Sequence, residues 1–216
     1  MYKKIEKCRI CGNRELVKIL NLGYQFLTGV FPKNKDNFDQ KGPLNLVKCH
    51  SEYEDVCGLV QLEHTYDQNE MYGENYGYRS GLNKSMVQHL ENKVKKIIDK
   101  NLLNDNDLIL DIGSNDATTL KSYLPNSKKL KLVGMDPTGE KFRKYYSDDI
   151  ELIADFFSST NFKKYYDQKP KIITSFSMFY DLEKPLDFMK EIYEILADEG
   201  LWVFEQSYMP FMLEQN

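Results

Sequence analysis

No apolar run in this 216-residue chain approaches the roughly 20 residues needed to cross a bilayer. The first residues, Met1-Tyr2-Lys3-Lys4-Ile5-Glu6-Lys7, lack the apolar core of a secretory signal. Both absences place the chain in the cytoplasm and away from membranes. A basic excess is missing too. With 29 Lys and Arg against 33 Asp and Glu, the chain has no electrostatic footprint of a nucleic-acid binder, which favours a small-molecule substrate. The lysines at Lys128, Lys129 and Lys131 then read as a solvated approach to a strand. The dinucleotide loop is also incomplete: after the apolar run of "DLILDIGSND" (107–116), Gly113 stands without the usual second and third glycines.

Cysteine is scarce but concentrated. All four lie in the first 57 residues: Cys8 and Cys11 as C-x2-C, then Cys49 and Cys57. One tight knuckle can present two thiolates and a later hairpin two more, the ligand set of a closed, structural zinc site with no open position for water. The second pair is widely spaced, so "CHSEYEDVC" must bulge outward, or His50 replaces a cysteine. The alternatives are reduced thiols without metal or two disulfides, and a chain without an export signal disfavours the latter. Between the pairs, "LNLGYQFLTGVFPK" carries Gly23, Gly29 and Pro32, which break any helix and predict turns and short strands. Residues 1–65 therefore read as a small β-rich, metal-stapled domain.

Residues 66–100 read as a tyrosine-rich loop and a connecting helix. "YDQNEMYGENYGYRSG" holds four tyrosines and three glycines, a costly loop to order unless it covers something. Met86, Val87, Leu90, Val94, Ile97 and Ile98 then recur at helical spacing. His89, beside that stripe, is ordinarily a packed or half-exposed helix residue.

From 101 to 216 short apolar runs alternate with helical stretches: "LILDI", "KLVGMD", "IELIAD", "KIITSF" and "GLWVFEQ". This predicts an α/β, doubly wound, Rossmann-like sheet whose ligand lies at the carboxyl ends of the strands, near the switch in strand order. Gly113 permits close approach of a ligand, and Ser114, Asn115 and Asp116 supply polar groups. Asp111 and Asp116 would repel a pyrophosphate. Asp136 and Asp155, at the ends of the second and third strands, suit a nucleoside with a cationic centre, which describes S-adenosylmethionine.

"CRICG", "CGLVQL", "YGYRSGLNKSM", "DIGSND" and "GMDP" follow one another as in the sugar C-methyltransferase family of class I S-adenosylmethionine enzymes, which the chain resembles. The resemblance implies structural Zn2+ at Cys8, Cys11, Cys49 and Cys57. It implies a cofactor site in which Asp111, Gly113, Ser114 and Asn115 hold the methionine end, Asp136 with Pro137 the ribose, and Asp155 with Phe156 the adenine, with Ser175 and Ser177 on a neighbouring strand end. Tyr76 and Tyr78 would close over cofactor and substrate, a nucleotide-linked keto-deoxysugar. The alternatives are an O- or N-methyltransferase, or a truncated non-catalytic cofactor-binding module. Tyr76 is the candidate catalytic group, with Arg79 available to lower its pKa. The sequence departs from the family at Ala117, which stands for a glycine, and at Ser177 and Asp181, which stand for an Asn and a His. The family also continues past "FEQSYMPFM" into a segment bearing a proton acceptor, which implies that these residues alone bind cofactor without turning over a sugar. An edge strand carrying Trp202 and Phe204 predicts a homodimer or further strands.

Overall fold

A computed structural model describes residues 2–31, 34, 41–73 and 75–215; Pro32 lies outside them. The chain divides into two compact units, Met1–Tyr78 with Glu183–Leu186, and Arg79–Leu182 with Asp187–Asn216. The division falls inside the segment read above as a connector.

In the first unit, β1 (Tyr2–Lys4) pairs antiparallel with β5 (His64–Tyr66), while β2 (Leu16–Phe26), β3 (Lys41–Cys49) and β4 (Val60–Leu62) form a three-stranded antiparallel sheet. β2 is longer than the breakers predict, at 11 residues. Its register against β3 shifts between Lys18 and Leu20 and between Asn21 and Tyr24, and Gly23 sits within the second shift at φ 69°. The glycine therefore bulges the strand without ending it. A short helix, α1 (Gln68–Met71), is capped by Asp67, which accepts from the amides of Asn69 and Glu70.

The second unit opens with α2 (Lys84–Ile98), capped by Asn83 and burying Leu90, Val94 and Ile97. Then follow β6 (Leu108–Ile112), α3 (Thr118–Lys121), β7 (Lys131–Met135), α4 (Gly139–Phe142), β8 (Ile150–Ile153), α5 (Ser159–Lys163), β9 (Ile172–Phe176), α6 (Pro185–Ile195), β10 (Leu201–Glu205) and α7 (Met209–Glu214). The five strands are parallel in the order β10-β9-β6-β7-β8. Successive residues of β6 feed opposite faces: Leu108, Leu110 and Ile112 pack with Val133, Ile173 and Ile192, and Ile109 packs with Val94, Leu120 and Ile172. Cover on both faces explains why every residue of β6 is buried. Because the chain leaves β6 toward β7 and later returns on its other side as β9, the turn after β6 stands at the switch point where such sheets bind ligands.

Trp202 does not lie bare on the β10 edge. Its indole N–H donates to Ser175 Oγ at 2.9 Å, and its ring lies 5.3 Å from Phe179 and 4.6 Å from Phe204. Phe204 keeps 45% of its surface exposed. Among the described residues no helix is long and apolar enough to cross a membrane.

Candidate cofactor site and metal centre

The cysteine cluster forms from two tight pieces of chain. The amide of Cys8 donates to Asn13 O (2.8 Å) and that of Gly12 to Cys8 O (3.1 Å), closing the first knuckle. Cys49 ends β3, and its amide donates to Leu59 O (2.8 Å), folding 51–56 outward as the spacing requires. The four Sγ atoms lie within 4.8 Å of one another, with Cys8–Cys57 and Cys11–Cys49 at 3.5 Å. Tetrahedral zinc with Zn–S bonds of about 2.3 Å needs sulfurs about 3.8 Å apart, so the donor set fits the metal. The four ligands are cysteines, and His50 is not among them.

The surroundings favour thiolates unequally. Backbone amides of Cys57 and Asn13 lower the Cys11 thiol to about 6, whereas loss of solvation and the neighbouring sulfurs of Cys8 and Cys11 push Cys57 up to about 12. Four thiolates at this spacing need a cation among them. Supporting donors surround the sulfurs: Gln61 Nε2 donates to Cys8 Sγ (3.3 Å) and Asn13 Nδ2 to Cys49 Sγ (3.4 Å). Arg9 in turn braces Gln61, donating to its Oε1 (3.1 Å), to Leu62 O (2.8 Å) and to Thr65 Oγ1 (2.7 Å). Sequence reading overlooked Arg9, Asn13 and Gln61, although two of them stand inside the quoted motifs "CRICG" and "CGLVQL".

The turn after β6 is built from unusual backbone. Gly113, Asn115 and Ala117 all have positive φ, at 73°, 50° and 61°, which folds the five residues after Ile112 into a tight cup before α3. At Gly113 an added Cβ would meet only the Met178 side chain, at 3.4 Å. A flexible methionine is thus what covers the backbone there.

Most of the loop's polar groups face inward. Asp111 is 2% exposed and its Oδ1 accepts from Thr174 Oγ1. Burial raises its carboxyl to about 7, against hydrogen bonds from Thr174 and Thr119 that favour the charged form. Ser114 Oγ meets Tyr146 Oη at 2.8 Å, and that phenol also donates to Asn115 O. Asn115 Oδ1 accepts from the Ser80 amide (3.0 Å). Asp116 Oδ2 accepts from the Gly81 amide (3.0 Å) and from Arg79 Nη1 (3.3 Å), and Thr118 donates to its Oδ1. The "ND" of the loop therefore latches the 79–81 segment onto it. Arg79 is committed to Asp116 and lies 4.1 Å above the Tyr145 ring. A Cβ on Gly81 would come within 2.5 Å of Asp116 Oδ2, a close approach only glycine allows.

Asp136 Oδ2 accepts from the Asn115 amide (2.8 Å), and its Oδ1 from the Thr138 amide (2.6 Å) and hydroxyl; Pro137 follows it in the turn toward α4. One carboxylate thus ties the two strand-end turns together and, with three of its roughly four acceptor sites taken, keeps one on Oδ2. Asp155 accepts from the Phe156 amide (2.7 Å) and from Asn161 Nδ2 (2.9 Å), with Phe156 half-buried beside it. Ser175 is fully buried under Trp202, whereas Ser177 is exposed, at φ 54°, and donates to Glu205 Oε1 (3.1 Å). Tyr76 belongs to the first unit, bridged to Val30 and edge-on to Tyr72 at 5.4 Å. Tyr78 ends the first stretch of that unit.

Residues 8–72 match a family described as "Putative zinc binding domain" and residues 86–211 one described as "Methyltransferase domain". The C-methyltransferase NovU of Streptomyces niveus is 22% identical over 99% of this chain, which spans 50% of that protein. Among solved structures, the plantazolicin methyltransferase BpumL in complex with a triazolic desmethylPZN analog and SAH shares 17% identity, with 58% of this chain, 48% of that one and a TM-score of 0.46. For precorrin-6y C5,15-methyltransferase from Geobacter metallireducens GS-15 the values are 14%, 61%, 67% and 0.40. Since the methyltransferase-domain match alone takes in more than half of the sequence, the chain belongs to the class I S-adenosylmethionine-dependent methyltransferase family.

Proposed function

We propose that the protein moves a methyl group from S-adenosylmethionine to a carbon of a nucleotide-linked keto-deoxysugar in the cytoplasm, with its four cysteines holding one structural zinc. The observation that carries the cofactor half is the turn at the switch point. Gly113 opens the backbone to a ligand, Asp111 and Asp116 lie within three residues of it and Asp136 is bonded to the Asn115 amide, a setting hostile to a pyrophosphate and hospitable to a nucleoside bearing positive charge. Asp136, with one lone pair to spare, would accept from a ribose hydroxyl, and Asp155 with Phe156 would flank the base. When bound, the cofactor supplies an electrophilic methyl group. The chain's contribution is to orient that group and to remove a proton from the acceptor. Asp111, sealed beneath the loop, supports the loop and does not touch the ligand.

The carbon-acid half rests on colinearity with a C-methyltransferase over almost the whole chain. Titration calorimetry with S-adenosylhomocysteine should show one site per chain, and methyl transfer to a thymidine-diphosphate 4-keto sugar should exceed transfer to hydroxyl or amine acceptors. Binding without preference for the keto sugar would retain the cofactor reading and remove the sugar.

A further inference from the structure

The tyrosine-rich segment is held to the cysteine-bearing unit by a two-way clasp, all of it inside Met1–Tyr78. Val30 and Tyr76 form an antiparallel bridge. Beside it the Phe31 amide donates to Asn75 O at 2.8 Å, and the Gly77 amide to Gly29 O at 2.9 Å. Each side of the bridge then lays an aromatic ring on a glycine of the other. A Cβ on Gly29 would come within 3.0 Å of the Tyr76 ring, and a Cβ on Gly77 would overlap the Phe31 ring. Gly29 also has φ 76°, so a side chain is disfavoured there by the backbone as well. Core packing does not account for these rings. A ring that only filled a core would be buried, yet Phe31 keeps 65% of its surface exposed, and Tyr76 is half-buried. Ordering a loop so rich in glycine costs backbone entropy. What the clasp achieves with that ordering is one fixed position for Tyr76.

We propose that Gly29, Phe31 and Gly77 are positioning residues for substrate binding. They set the Tyr76 phenol where its O–H donates to the carbonyl oxygen of the keto sugar, the atom that gains negative charge when the neighbouring carbon loses its proton. This rests on the substrate reading above and leaves the proton acceptor to another group. It also gives the cysteine-stapled unit a part in recognising the substrate, because residues 29–31 follow β2 of its three-stranded sheet. A frame fixed by four cysteines is a firm base for a side chain that has to be held within a fraction of an ångström.

Titration calorimetry of the full chain with a thymidine-diphosphate 4-keto sugar, in the presence of S-adenosylhomocysteine, tests the clasp. Tyr76→Phe should weaken sugar binding about threefold to tenfold, the share of one hydrogen bond. Phe31→Ala, which removes the ring, and Gly77→Ala, which displaces it, should each weaken binding to a similar extent. Phe31→Tyr keeps the ring and should bind within about twofold of wild type. Added to Tyr76→Phe, Phe31→Ala should bring no further loss, because both remove the same contact. Affinity for S-adenosylhomocysteine and zinc content should stay at their wild-type values throughout, which separates a misplaced Tyr76 from an unfolded unit. Sugar binding unaltered in Phe31→Ala or in Tyr76→Phe, losses that add in the double variant, or a loss that Phe31→Tyr shares would each overturn the proposal alone. A wild-type chain that binds S-adenosylhomocysteine but not the keto sugar would overturn it together with the sugar half of the proposed function, and one that binds neither would take the methyltransferase reading with it.

Discussion

Replacing Asp111 with asparagine should change how the stability of the sheet unit depends on pH. The carboxyl is fully enclosed and its proton leaves near 7 in the folded chain, against an ordinary value of 3.8. Between those values the unfolded chain has released the proton and the folded chain retains it. The native state therefore binds more protons, and stability falls as pH rises, levelling above about 7. The whole difference corresponds to on the order of 4 kcal/mol, of which about 2 kcal/mol accrues between pH 5 and pH 7. Asparagine cannot titrate, and its carbonyl can still accept from Thr174. Its amide adds donors whose burial shifts stability by a fixed amount, whereas the pH-dependent part is separate from that offset. Trp202, the one tryptophan in the sequence, lies in this sheet and reports on its unfolding. Urea unfolding followed by its fluorescence should show the stability of Asp111→Asn minus that of wild type growing by about 2 kcal/mol from pH 5 to pH 7. A difference that stays constant to within about 0.5 kcal/mol would show that the carboxyl is already ionised in the folded chain, and that water or a ligand reaches it.

Other substitutions test the remaining supports. Asp136→Ala removes the acceptor shared by the Asn115 amide and Thr138 and should cost about 1–3 kcal/mol of stability, along with weaker binding of S-adenosylhomocysteine; calorimetry that finds affinity intact would reduce Asp136 to a cap. Gly81→Ala drives a methyl group against Asp116 and should destabilise by about 1–3 kcal/mol, measurable in the same urea titrations, whereas an unaffected variant would mean that the latch yields freely. Ala117→Gly should prove nearly neutral, within about 1 kcal/mol, because relief of a left-handed backbone worth about 1–2 kcal/mol is offset by loss of a buried methyl group and a more flexible unfolded chain. Elemental analysis should find one zinc per chain, and Cys8→Ser should abolish it and unfold the N-terminal unit while Trp202 fluorescence stays native, since structural zinc supplies on the order of 10 kcal/mol to such small folds.

The five strands of the sheet, the helix of 84–98 and the cysteine quartet were legible because each rests on a local or strongly periodic signal. Buried parallel strands must be apolar throughout, an amphipathic helix repeats every three to four residues, and C-x2-C has few structural uses. β2 was read as shorter pieces because Gly23 looks like a break. A hairpin partner in β3 supplies hydrogen bonds on both sides of it, so the strand continues through a bulge.

The polar residues of the cofactor turn were harder, and the reason is general. Ser114 and Asn115 read as ligand contacts because a polar side chain in a loop after a strand shows no partner nearby in sequence. Their side-chain partners lie 32 and 35 residues away, at Tyr146 and Ser80, and Asp116, besides nearby Thr118, likewise reaches back to Gly81 and Arg79. A loop with three left-handed residues in five is costly to hold, and side chains that saturate one another hold it better than side chains left waiting for a ligand. On the function proposed above, backbone and strand-end carboxylates would meet the ligand, while the motif's conspicuous side chains keep the loop in shape. The side chains of "DIGSND" are thus accounted for by the shape of the turn, and the cofactor role proposed for them is a matter for the binding experiments.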